Sequence, residues 1–391
     1  MTPDATHIDH RDWMLRSIDL AIGGRGRVEP NPMVGCVIVK DNRVIGQGRH
    51  EVFGGPHAEP MALDACSESP AGATAYVTLE PCVHTNKKTP PCVPRLIAAG
   101  LARVVVGCVD PNPPVAGAGI AALRNSGIAV ETGLLEEHCR QLNAPYFATT
   151  AHHRPYVTLK WAQSADGAVA GANGRPIPIT ADAANRAVHA LRGRCDAILI
   201  GGQTATGDDP LLTARLVPPL RIPLRSVLSA KLCLSPDSRL AQSTDSGPVL
   251  VYCTQSSLDG NRARALMLER QRVEVQALPS DEHGRIPLPA ALDDLHRRSV
   301  THLLIEPGPA LAAGFLAANL ADRVWVFHSP KRIDDPTAPR AAAVPFAPTA
   351  RLQLGADLLT EHLNPRSPVF FANDPSPDLR LLQLEAHGSN S

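Results

Sequence analysis

Several features that would assign the chain to other functional classes are absent from its sequence. Lys plus Arg and Asp plus Glu number 38 each, so the formal net charge is zero. A protein that binds nucleic acid or an anionic membrane usually carries a basic surplus, so we expect neither partner. No apolar run approaches the roughly 20 residues that are needed to cross a bilayer. The chemistry of a small-molecule substrate is therefore the first possibility to examine.

A disulfide framework is also absent. The nine cysteines are odd in number and scattered over 391 residues, whereas disulfide-stabilised domains are short and carry their cysteines in pairs. The sequence does not open with a charged and then apolar leader, so we expect a cytoplasmic protein. In a reducing compartment, cysteines near a histidine are metal ligands or core residues. We assign all of them except Cys82 and Cys92 to cores.

The length favours two or three domains, at about 100 to 200 residues each, and periodicity predicts an α/β domain over residues 1–150. Apolar residues recur at every fourth position from Met14 to Ile22, which is typical of a helix. A hairpin is predicted at 34–46 and short strands at 75–79 and 103–107, with a helix-like stretch between these strands. Strands that alternate with helices indicate a layered α/β domain.

A second α/β domain is predicted over residues 151–391, after a polar segment that ends at Pro155. Its candidate strands are short apolar runs at 156–160, 196–200, 249–252, 302–305 and 324–327. No repeat of fixed period occurs along the chain. The segment 329–348 is rich in proline, alanine and charge, which predicts a surface loop.

The strongest chemical signal is a histidine followed by two cysteines. His57-Ala58-Glu59 precedes Pro81-Cys82 and Pro91-Cys92. One imidazole and two thiolates form a three-ligand zinc set, and a catalytic zinc keeps its fourth position for water. Zinc lowers the pKa of that water towards about 7, and a nearby glutamate that is not a ligand, here Glu59, can carry protons to a leaving amine. The pattern predicts a zinc-dependent hydrolytic deaminase.

The spacing of these residues also predicts where they lie. On a regular helix His57 and Glu59 would point apart by roughly 200°, so His57 is expected at or just before a helix start. A proline at position 60 is tolerated in a first turn. The strand at 75–79 is expected to deliver Cys82 to the head of a second helix, where backbone N–H groups favour a thiolate. Two helix starts would then face one metal.

Other interpretations of the same residues stay open at this point. His57 and Glu59 could be surface side chains, and Cys82 and Cys92 small core residues. A structural zinc site needs a fourth Cys or His ligand, and His84 is the neighbour that could serve. A zinc-stabilised module that binds nucleic acid would need four protein ligands and a basic patch, and the zero net charge disagrees with it.

Four strings of the sequence resemble the family of bifunctional riboflavin-biosynthesis deaminase/reductases. They are PNPMVGCVIV at 30–39, GATAYVTLEPC at 72–82, KTPPC at 88–92 and DPNP at 110–113. The zinc pattern is also similar to the wider cytidine-deaminase superfamily, where the two cysteines stand closer together. The resemblance covers nearly the whole chain. It implies an N-terminal cytidine-deaminase-like three-layer α/β/α domain and a C-terminal dihydrofolate-reductase-like α/β domain.

The resemblance implies that the first domain converts 2,5-diamino-6-(5-phosphoribosylamino)-4-pyrimidinone to 5-amino-6-(5-phosphoribosylamino)uracil. His57, Cys82 and Cys92 would then bind Zn²⁺, and Glu59 would transfer protons. Family members bind the base and the ribose phosphate with residues that match Asn31, His84, Lys88, Thr89, Asp110 and Asn112. A cation beside a hydroxyl suits a phosphate, which supports Lys88 and Thr89. Asp110 and Asn112, beside prolines, are equally typical of a turn.

The second domain would use NADPH to reduce the ribosyl to a ribityl chain. The matching NADPH contacts are Ala162, Thr204, Asp208, Gly308 and Gly314, and the matching substrate contacts are Arg192, Leu212, Arg215 and Glu306. A strand that ends in a glycine turn offers N–H groups to a phosphate, and a guanidinium matches phosphate oxygens. Without the resemblance, the turn at 308–314 is an ordinary strand-to-helix turn and Arg192 an exposed helix position. The resemblance also implies a homo-oligomer.

The second domain departs from the family pattern at three places, one of which is the glycine-bearing loop after Pro330-Lys331, here Arg-Ile-Asp-Asp. Pro176 and Pro178 stand where the family has a serine and a tryptophan, and Ser229-Ala230 stands where it has Asp-Ser. A proline removes a backbone donor and a side-chain contact together. We therefore hypothesise that the deaminase is active and that the reductase is impaired or retuned. The alternative is a deaminase-only paralogue with a degenerate reductase domain, which feeds a specialised pyrimidine-derived product.

Overall fold

The computed structural model describes residues 9–84 and 89–388, and side chains as far as residue 385. The chain divides into two compact units. The first contains the residues up to Ala151 together with Ser376–Leu381, and the second contains His152–Pro375 and the residues from Leu382 onward. No described helix combines the length and the apolar character needed to cross a bilayer.

The first unit contains the predicted helix, hairpin and strands. Its helices are α1 (His10–Ile22), α2 (Ala58–Asp64), α3 (Cys92–Ala98), α4 (Ala118–Asn125), α5 (Glu136–Leu142) and α6 (Ala144–His152). Its strands are β1 (Gly35–Lys40), β2 (Arg43–Arg49), β3 (Thr74–Leu79), β4 (Arg103–Cys108) and β5 (Ala129–Thr132).

The sheet of the first unit has the strand order β2-β1-β3-β4-β5. Strand β1 runs antiparallel to β2 and β3, and β3, β4 and β5 are parallel. Apolar residues of α2, α3 and α4 pack on one face of this sheet. Helix α1 packs on the other face, where a Cβ at Gly35 would lie 1.9 Å from the carbonyl oxygen of Ser17. The prediction of a three-layer α/β/α arrangement is confirmed.

The second unit is built on a larger sheet, and its predicted strands are confirmed. The helices that follow α6 are α7 (Asp182–Arg192), α8 (Gly202–Asp208), α9 (Arg239–Gln242), α10 (Gln255–Gly260), α11 (Arg262–Arg270), α12 (Leu288–Arg297), α13 (Pro309–Ala317) and α14 (Pro377–Gly388). The strands are β6 (Tyr156–Gln163), β7 (Ala197–Gly201), β8 (Leu224–Leu228), β9 (Val249–Thr254), β10 (Val273–Leu278), β11 (His302–Ile305), β12 (Arg323–His328), β13 (Ala350–Leu354) and β14 (Asp357–Leu363).

The strand order of the second sheet places three strand ends side by side. The order is β10-β9-β8-β7-β11-β6-β12-β14-β13, and every neighbouring pair is parallel except the two that involve β14. Strands β7, β11 and β6 are therefore adjacent and end at the same edge. Ligands of open α/β sheets bind outside the carboxyl ends of such strands. This edge is where a cofactor is expected.

Two predictions from the sequence had different outcomes in the structure. The segment 329–348 contains no helix or strand, although Arg340 forms an isolated bridge with Ala168. The assignment of seven cysteines to cores is wrong for Cys66 and Cys233, which are half-buried. Cys66 lies just beyond the end of α2 and Cys233 lies in the loop after β8, so both stand outside the regular elements.

Candidate functional site

The first site is organised around the start of helix α2. His57 is the N-cap residue, with extended backbone angles of φ −77° and ψ 172°. Its carbonyl begins the helix while its ring stays outside the helical spiral. Glu59 follows in the first turn and is buried, with 3% of its surface exposed. The prediction that His57 lies at a helix start is confirmed.

The prediction that the strand at 75–79 delivers Cys82 to the head of a second helix is confirmed, although it is Cys92 that begins this helix. Cys92 is the first residue of α3, after Pro91, whose extended backbone makes it the N-cap. Cys82 lies in the irregular segment beyond β3. Its carbonyl oxygen accepts hydrogen bonds from the backbone N–H groups of Cys92 and Val93, at 3.1 and 3.2 Å. Cys82 therefore caps α3 from outside and satisfies two donors that the helix itself cannot pair.

Three donor atoms converge between these two helix starts. Sγ of Cys82 lies 3.6 Å from Sγ of Cys92, and Nδ1 of His57 lies 3.6 Å from the first sulfur and 3.3 Å from the second. Around a tetrahedral zinc, two thiolates lie about 3.8 Å apart, and a thiolate and an imidazole nitrogen about 3.6 Å. The spacing fits zinc. Within residues 9–84 and 89–388, no other group of His, Cys, Asp or Glu has such a geometry.

The surroundings of the ligands also suit a metal. Thr89, a predicted phosphate contact, has its Oγ1 3.2 Å from Nε2 of His57, so it orients the ring from the side opposite the sulfurs. A hydrogen bond from Cys92 lowers the pKa of Cys82 well below its usual range, with a further contribution from His57 against the effect of burial. One thiolate is therefore favoured before any metal binds. His84 is not part of the ligand cluster, which disfavours a structural four-ligand site.

The buried carboxyl of Glu59 completes the centre. Burial raises its pKa to about 7, and the neighbouring sulfur of Cys82 adds to this effect. Glu59 shares a cavity of about 40 Å³ with His57 and Cys82. The site thus places two of the three clustered donor residues and a carboxyl against one small cavity.

The structure brings most of the predicted deaminase residues to this cavity. Its lining consists of Asn31, Pro32, Val34, His50, His57, Glu59, Leu79, Glu80, Cys82, His84, Asp110 and Tyr146. Asn112 is not part of the lining, and its backbone N–H donates to Oδ1 of Asp110 at 2.9 Å. Lys88 lies outside the described residues. The remaining predicted contact, Thr89, reaches the centre through His57.

Two functional residues were missed by sequence reasoning because they are distant along the chain. The hydroxyl of Tyr146, on α6, donates to Oδ1 of Asp110 at 2.9 Å. His50 lies 2.8 Å from the carbonyl of Pro56 through Nδ1 and 3.1 Å from Nδ2 of Asn31 through Nε2. A carbonyl can only accept, so Nδ1 of His50 carries the proton and Nε2 accepts from Asn31. These two residues hold the predicted base contacts, and no local pattern marks either of them.

Glu80 was recognised as part of a motif, but its role is visible only in the structure. Its carboxylate accepts hydrogen bonds from four backbone N–H groups, those of Asp110, Gly117, Gly119 and Ile120, at 2.8 to 3.3 Å. A Cβ at Gly119 would lie 2.0 Å from the carbonyl oxygen of Pro81. Glu80 therefore fixes the loop that carries Asp110 and the start of α4 against the zinc-binding segment.

The second site is a cleft of about 750 Å³ at the carboxyl ends of β6, β7 and β11. Five of the predicted residues line it, namely Ala162, Thr204, Asp208, Glu306 and Gly308. Gly314 does not, because it lies inside α13, where a Cβ would be 3.6 Å from Leu288. The glycine turn is thus represented in the cleft by its first residue.

A charged cluster closes the inner end of the cleft. Arg192 binds Glu306 through two hydrogen bonds of 2.6 and 2.8 Å, and Nζ of Lys160 lies 4.0 Å from the same carboxylate. Burial alone would raise the pKa of Glu306, but Arg192 and Lys160 outweigh it and lower the pKa to about 2. Burial lowers the pKa of Lys160. Two predicted substrate contacts, Arg192 and Glu306, are therefore paired with each other.

The other two predicted substrate contacts lie on the loop after α8 and outside the cleft lining. Leu212 is buried and has a positive φ of 54°. Arg215 is exposed, and its guanidinium donates to Oγ1 of Thr213 at 3.0 Å. The assignment of these two residues stays a prediction.

The departures from the family pattern have visible local consequences. Pro178 lines the cleft, and its carbonyl accepts a hydrogen bond from Nζ of Lys331 at 3.2 Å. The hydroxyl of Ser229 lies 2.9 Å from Sγ of Cys233 and accepts from the backbone N–H of the same residue at 3.0 Å. The carbonyl of Ala230 accepts from Thr254. Pro176 is exposed.

Comparison with known proteins is consistent with this division. Residues 8–108 match the cytidine and deoxycytidylate deaminase zinc-binding region, and residues 155–343 match the RibD C-terminal domain. The riboflavin biosynthesis protein RibD of Synechocystis sp. (strain PCC 6803) is 38% identical over 364 residues, which are 93% of this chain and 92% of that protein. The Escherichia coli K12 protein of the same name is 39% identical over 333 residues, 82% of this chain and 87% of that protein.

Two solved structures extend the similarity to the fold. Acinetobacter baumannii RibD superposes with a TM-score of 0.78 at 33% identity, over 90% of this chain and 98% of that chain. A deaminase/reductase from Thermotoga maritima, described as a diaminohydroxyphosphoribosylaminopyrimidine deaminase and 5-amino-6-(5-phosphoribosylamino)uracil reductase, gives 0.76 at 35% identity, over 90% and 97%.

Proposed function

The chain belongs to the RibD family of bifunctional riboflavin-biosynthesis proteins, and we propose how its residues divide the family's two activities. It is an enzyme with a zinc deaminase domain and an NADPH-dependent reductase domain. We assign the deaminase to residues 1–150 and the reductase to residues 151–391. The substrate of the first is the diaminopyrimidinone ribosyl phosphate, and its product, the phosphoribosyl aminouracil, is the substrate of the second.

His57, Cys82 and Cys92 hold the metal in the deaminase. Zinc, when bound there, acts as a Lewis acid that makes a hydrolytic nucleophile available at neutral pH. Glu59 lies in the same cavity and is not a ligand. It is therefore placed to take a proton and to deliver it to the departing amine.

The base and its phosphate are held by residues around the same cavity. Asn31, His84 and Asp110 face the cavity and can pair with the polar edge of a pyrimidine. Lys88 and Thr89 meet the phosphate. Asn112 acts on the substrate and on Asp110, which it fixes through its backbone N–H.

The reductase binds NADPH and the ribosyl compound in the cleft of the second unit. Ala162, Thr204, Asp208, Gly308 and Gly314 contact the dinucleotide, and Arg192, Leu212, Arg215 and Glu306 contact the substrate. The lowered pKa of Glu306 keeps a fixed negative charge in the cleft, which is paired with Arg192 and lies 4.0 Å from Nζ of Lys160. Because Arg192 is already engaged by Glu306, we assign the phosphate to Arg215.

The observation that carries this assignment is the triangle of 3.3 to 3.6 Å between His57, Cys82 and Cys92 beside the buried Glu59. It is tested by incubating zinc-loaded protein with the diaminopyrimidinone ribosyl phosphate and NADPH and identifying the product by mass spectrometry. We expect a deaminated ribityl product. Unchanged substrate would overturn the substrate assignment. Omission of NADPH should stop the reaction at the aminouracil.

A deaminase-only paralogue is the second candidate, and one observation favours it. Pro178 forms part of the cleft wall, and the hydroxyl of Ser229 is engaged with Cys233 inside its own turn. In a degenerate reductase, neither Pro178 nor Ser229 would contact the ligand. A deaminated but unreduced product in the same assay, at saturating NADPH, would select this candidate.

We further propose a cytoplasmic homo-oligomer that acts on small molecules and binds neither nucleic acid nor a membrane. The described cysteines form no disulfide, as a reducing compartment requires. Sedimentation analysis of the zinc-loaded protein tests the oligomeric state, and a monomer at micromolar concentration would contradict it.

A further inference from the structure

The loop that follows α8 is held at alternate residues by groups from neighbouring elements. Oδ1 of Asp209 accepts a hydrogen bond from the backbone N–H of Arg239 at 2.9 Å, and the carbonyl of Leu211 accepts one from the side chain of Arg225 at 3.0 Å. The carbonyl of Thr213 accepts one from the side chain of Arg192 at 3.3 Å. The backbone N–H of Arg215 donates to Nδ1 of His189 at 2.7 Å. A loop pinned at every second residue has little conformational freedom left to lose when a ligand binds.

Arg225 shows how strongly the structure supports this loop. The side chain is fully buried in β8, and besides Leu211 it donates to Oγ and the carbonyl of Ser243. It also donates to the carbonyl of Gly247. A buried cation that serves backbone carbonyls binds several chain segments together, because each carbonyl would otherwise lose its hydrogen bond.

The contact at Arg215 is different, because here the backbone N–H of the loop donates to a side chain of a neighbouring helix. Nδ1 of His189 can accept only when it carries no proton. Four charged groups act electrostatically on the ring of His189. They are Arg192 on the same helix, Lys160 on β6, Arg215 on the loop and Glu306 after β11. Burial, followed by Arg192 and Arg215, lowers the pKa of His189 to about 4. The acceptor state is therefore maintained at neutral pH.

We propose that His189 is a positioning residue of the reductase, which fixes the backbone at Arg215 so that the guanidinium meets the phosphate of the substrate. The proposal rests on the assignment of Arg215 to the substrate in the proposed function. Arg215 is exposed, and its long side chain has many rotamers. A fixed backbone reduces the volume that the guanidinium samples, and the 2.7 Å hydrogen bond from the amide of Arg215 adds to the contact that the guanidinium makes with Thr213.

The test compares two substitutions of the same residue. His189→Phe keeps a ring and removes the acceptor, whereas His189→Asn keeps an acceptor close to the position of Nδ1. For H189F we expect a rise of about tenfold in KM for the phosphoribosyl aminouracil, with kcat and the KM for NADPH nearly unchanged. H189N should restore most of the affinity. His283→Phe, at an exposed histidine of the same unit, is the matched control and should change neither value.

Two further measurements separate positioning from a structural role. With the dephosphorylated aminouracil riboside as substrate, H189F and the parent should have the same KM. In the background of Arg215→Met, H189F should add less than about twofold, because the two residues act as one unit. A KM that rises equally for both substrates, additive effects with R215M, or a raised KM for NADPH would each overturn the proposal.

If the assignment of Arg215 to the substrate phosphate is wrong, the same experiments give a different result. If R215M leaves the KM for the phosphorylated substrate unchanged, the role of Arg215 is wrong, and the role of His189 falls with it. If R215M raises that KM while H189F does not, Arg215 stands and only His189 is excluded. Should H189F not fold, as judged by lost NADPH binding, His189→Gln is used instead. Its acceptor lies one bond further out, and it should raise the same KM.

Discussion

In the first unit the chemical groups close around a cavity of about 40 Å³, whereas in the second unit they open on a cleft of about 750 Å³. The small cavity takes its metal ligands and its carboxyl from a short stretch, His57 to Cys92. The cleft is lined by residues from Lys160 to Pro339. A compact metal centre concentrates its chemistry in a local motif, while a site for a dinucleotide is assembled from strand ends and loops.

The buried glutamates of the two sites, Glu59 and Glu306, also differ, because their pKa values are shifted in opposite directions. Burial raises the pKa of Glu59 to about 7, and the neighbouring sulfur reinforces the effect. Burial acts in the same direction on Glu306, but Arg192 and Lys160 lower its pKa to about 2. Burial alone therefore does not decide the state of a carboxyl, since the sign of the nearest charges does.

The largest expected effect tests whether the two sites are independent. Glu59→Gln should lower the deaminase kcat by about a thousandfold, because proton transfer by a positioned carboxyl is lost. Zinc content, measured by atomic absorption, should be unchanged, and so should the reduction of added phosphoribosyl aminouracil. Glu51→Gln, at an exposed site, is the control. A matching loss of reductase activity would contradict the independence of the sites.

The next prediction concerns the charge cluster of the cleft. Because the folded pKa of Glu306 is lower than its ordinary value of 4.5, its contribution to stability is present above pH 4.5 and is lost as the pH falls towards 2. The contribution is about 3 kcal/mol. Glu306→Gln should flatten this part of the acid dependence of the unfolding free energy, measured by denaturant titration. An unaltered slope between pH 5 and 3 would show that the carboxylate is not held by its cations.

A smaller effect is expected where the deaminase cavity depends on its supporting loop. Glu80→Gln replaces an acceptor oxygen by a donor, so that some of the four backbone amides lose their partner. We expect a fall of about tenfold to thirtyfold in the deaminase kcat/KM, with full zinc content. The reductase rate is the internal control. Loss of zinc in E80Q would mean that Glu80 supports the metal instead of the substrate loop.

The smallest predicted effect lies at the edge of the same cavity. Tyr146→Phe removes the hydroxyl that donates to Asp110 and leaves the ring in place. We expect the deaminase KM to rise about fivefold, as for the loss of one hydrogen bond of about 1 kcal/mol, with little change in kcat. Steady-state kinetics of ammonia release measure it. An unchanged KM would show that Asp110 does not contribute to substrate binding.

Much of the deaminase centre could be predicted because it follows from local rules. A glycine-proline turn before His57, a helix that starts at the next residue, and two prolines that precede cysteines all act within a few residues. Cys82 was predicted to lie at the head of the second helix, but the way in which it caps that helix was not predicted. Its carbonyl caps α3 only because the chain returns to it after residues 83–91, and the path of a loop is not encoded in spacing.

In the reductase, matches to the family pattern identified several residues that line the cleft. They did not predict which of these residues pair with each other or how the pairing changes their charge. Arg192 and Glu306 are 114 positions apart, and their pairing follows from the adjacency of β7 and β11. His189 carried no signal in the sequence, because one histidine on a helix is typical of many structures. Its role depends on where the loop after α8 passes.

By itself, the sequence determined the candidate zinc ligands, the neighbouring carboxyl, the α/β class of both domains and the family. These depend on residue type and short spacing, which the covalent chain carries directly. Only the tertiary structure decided which side chains hold those residues in place, among them Tyr146, Glu80 and His189. Hydrogen bonds and charge balance act over a few ångströms in space, and only folding brings distant positions that close together.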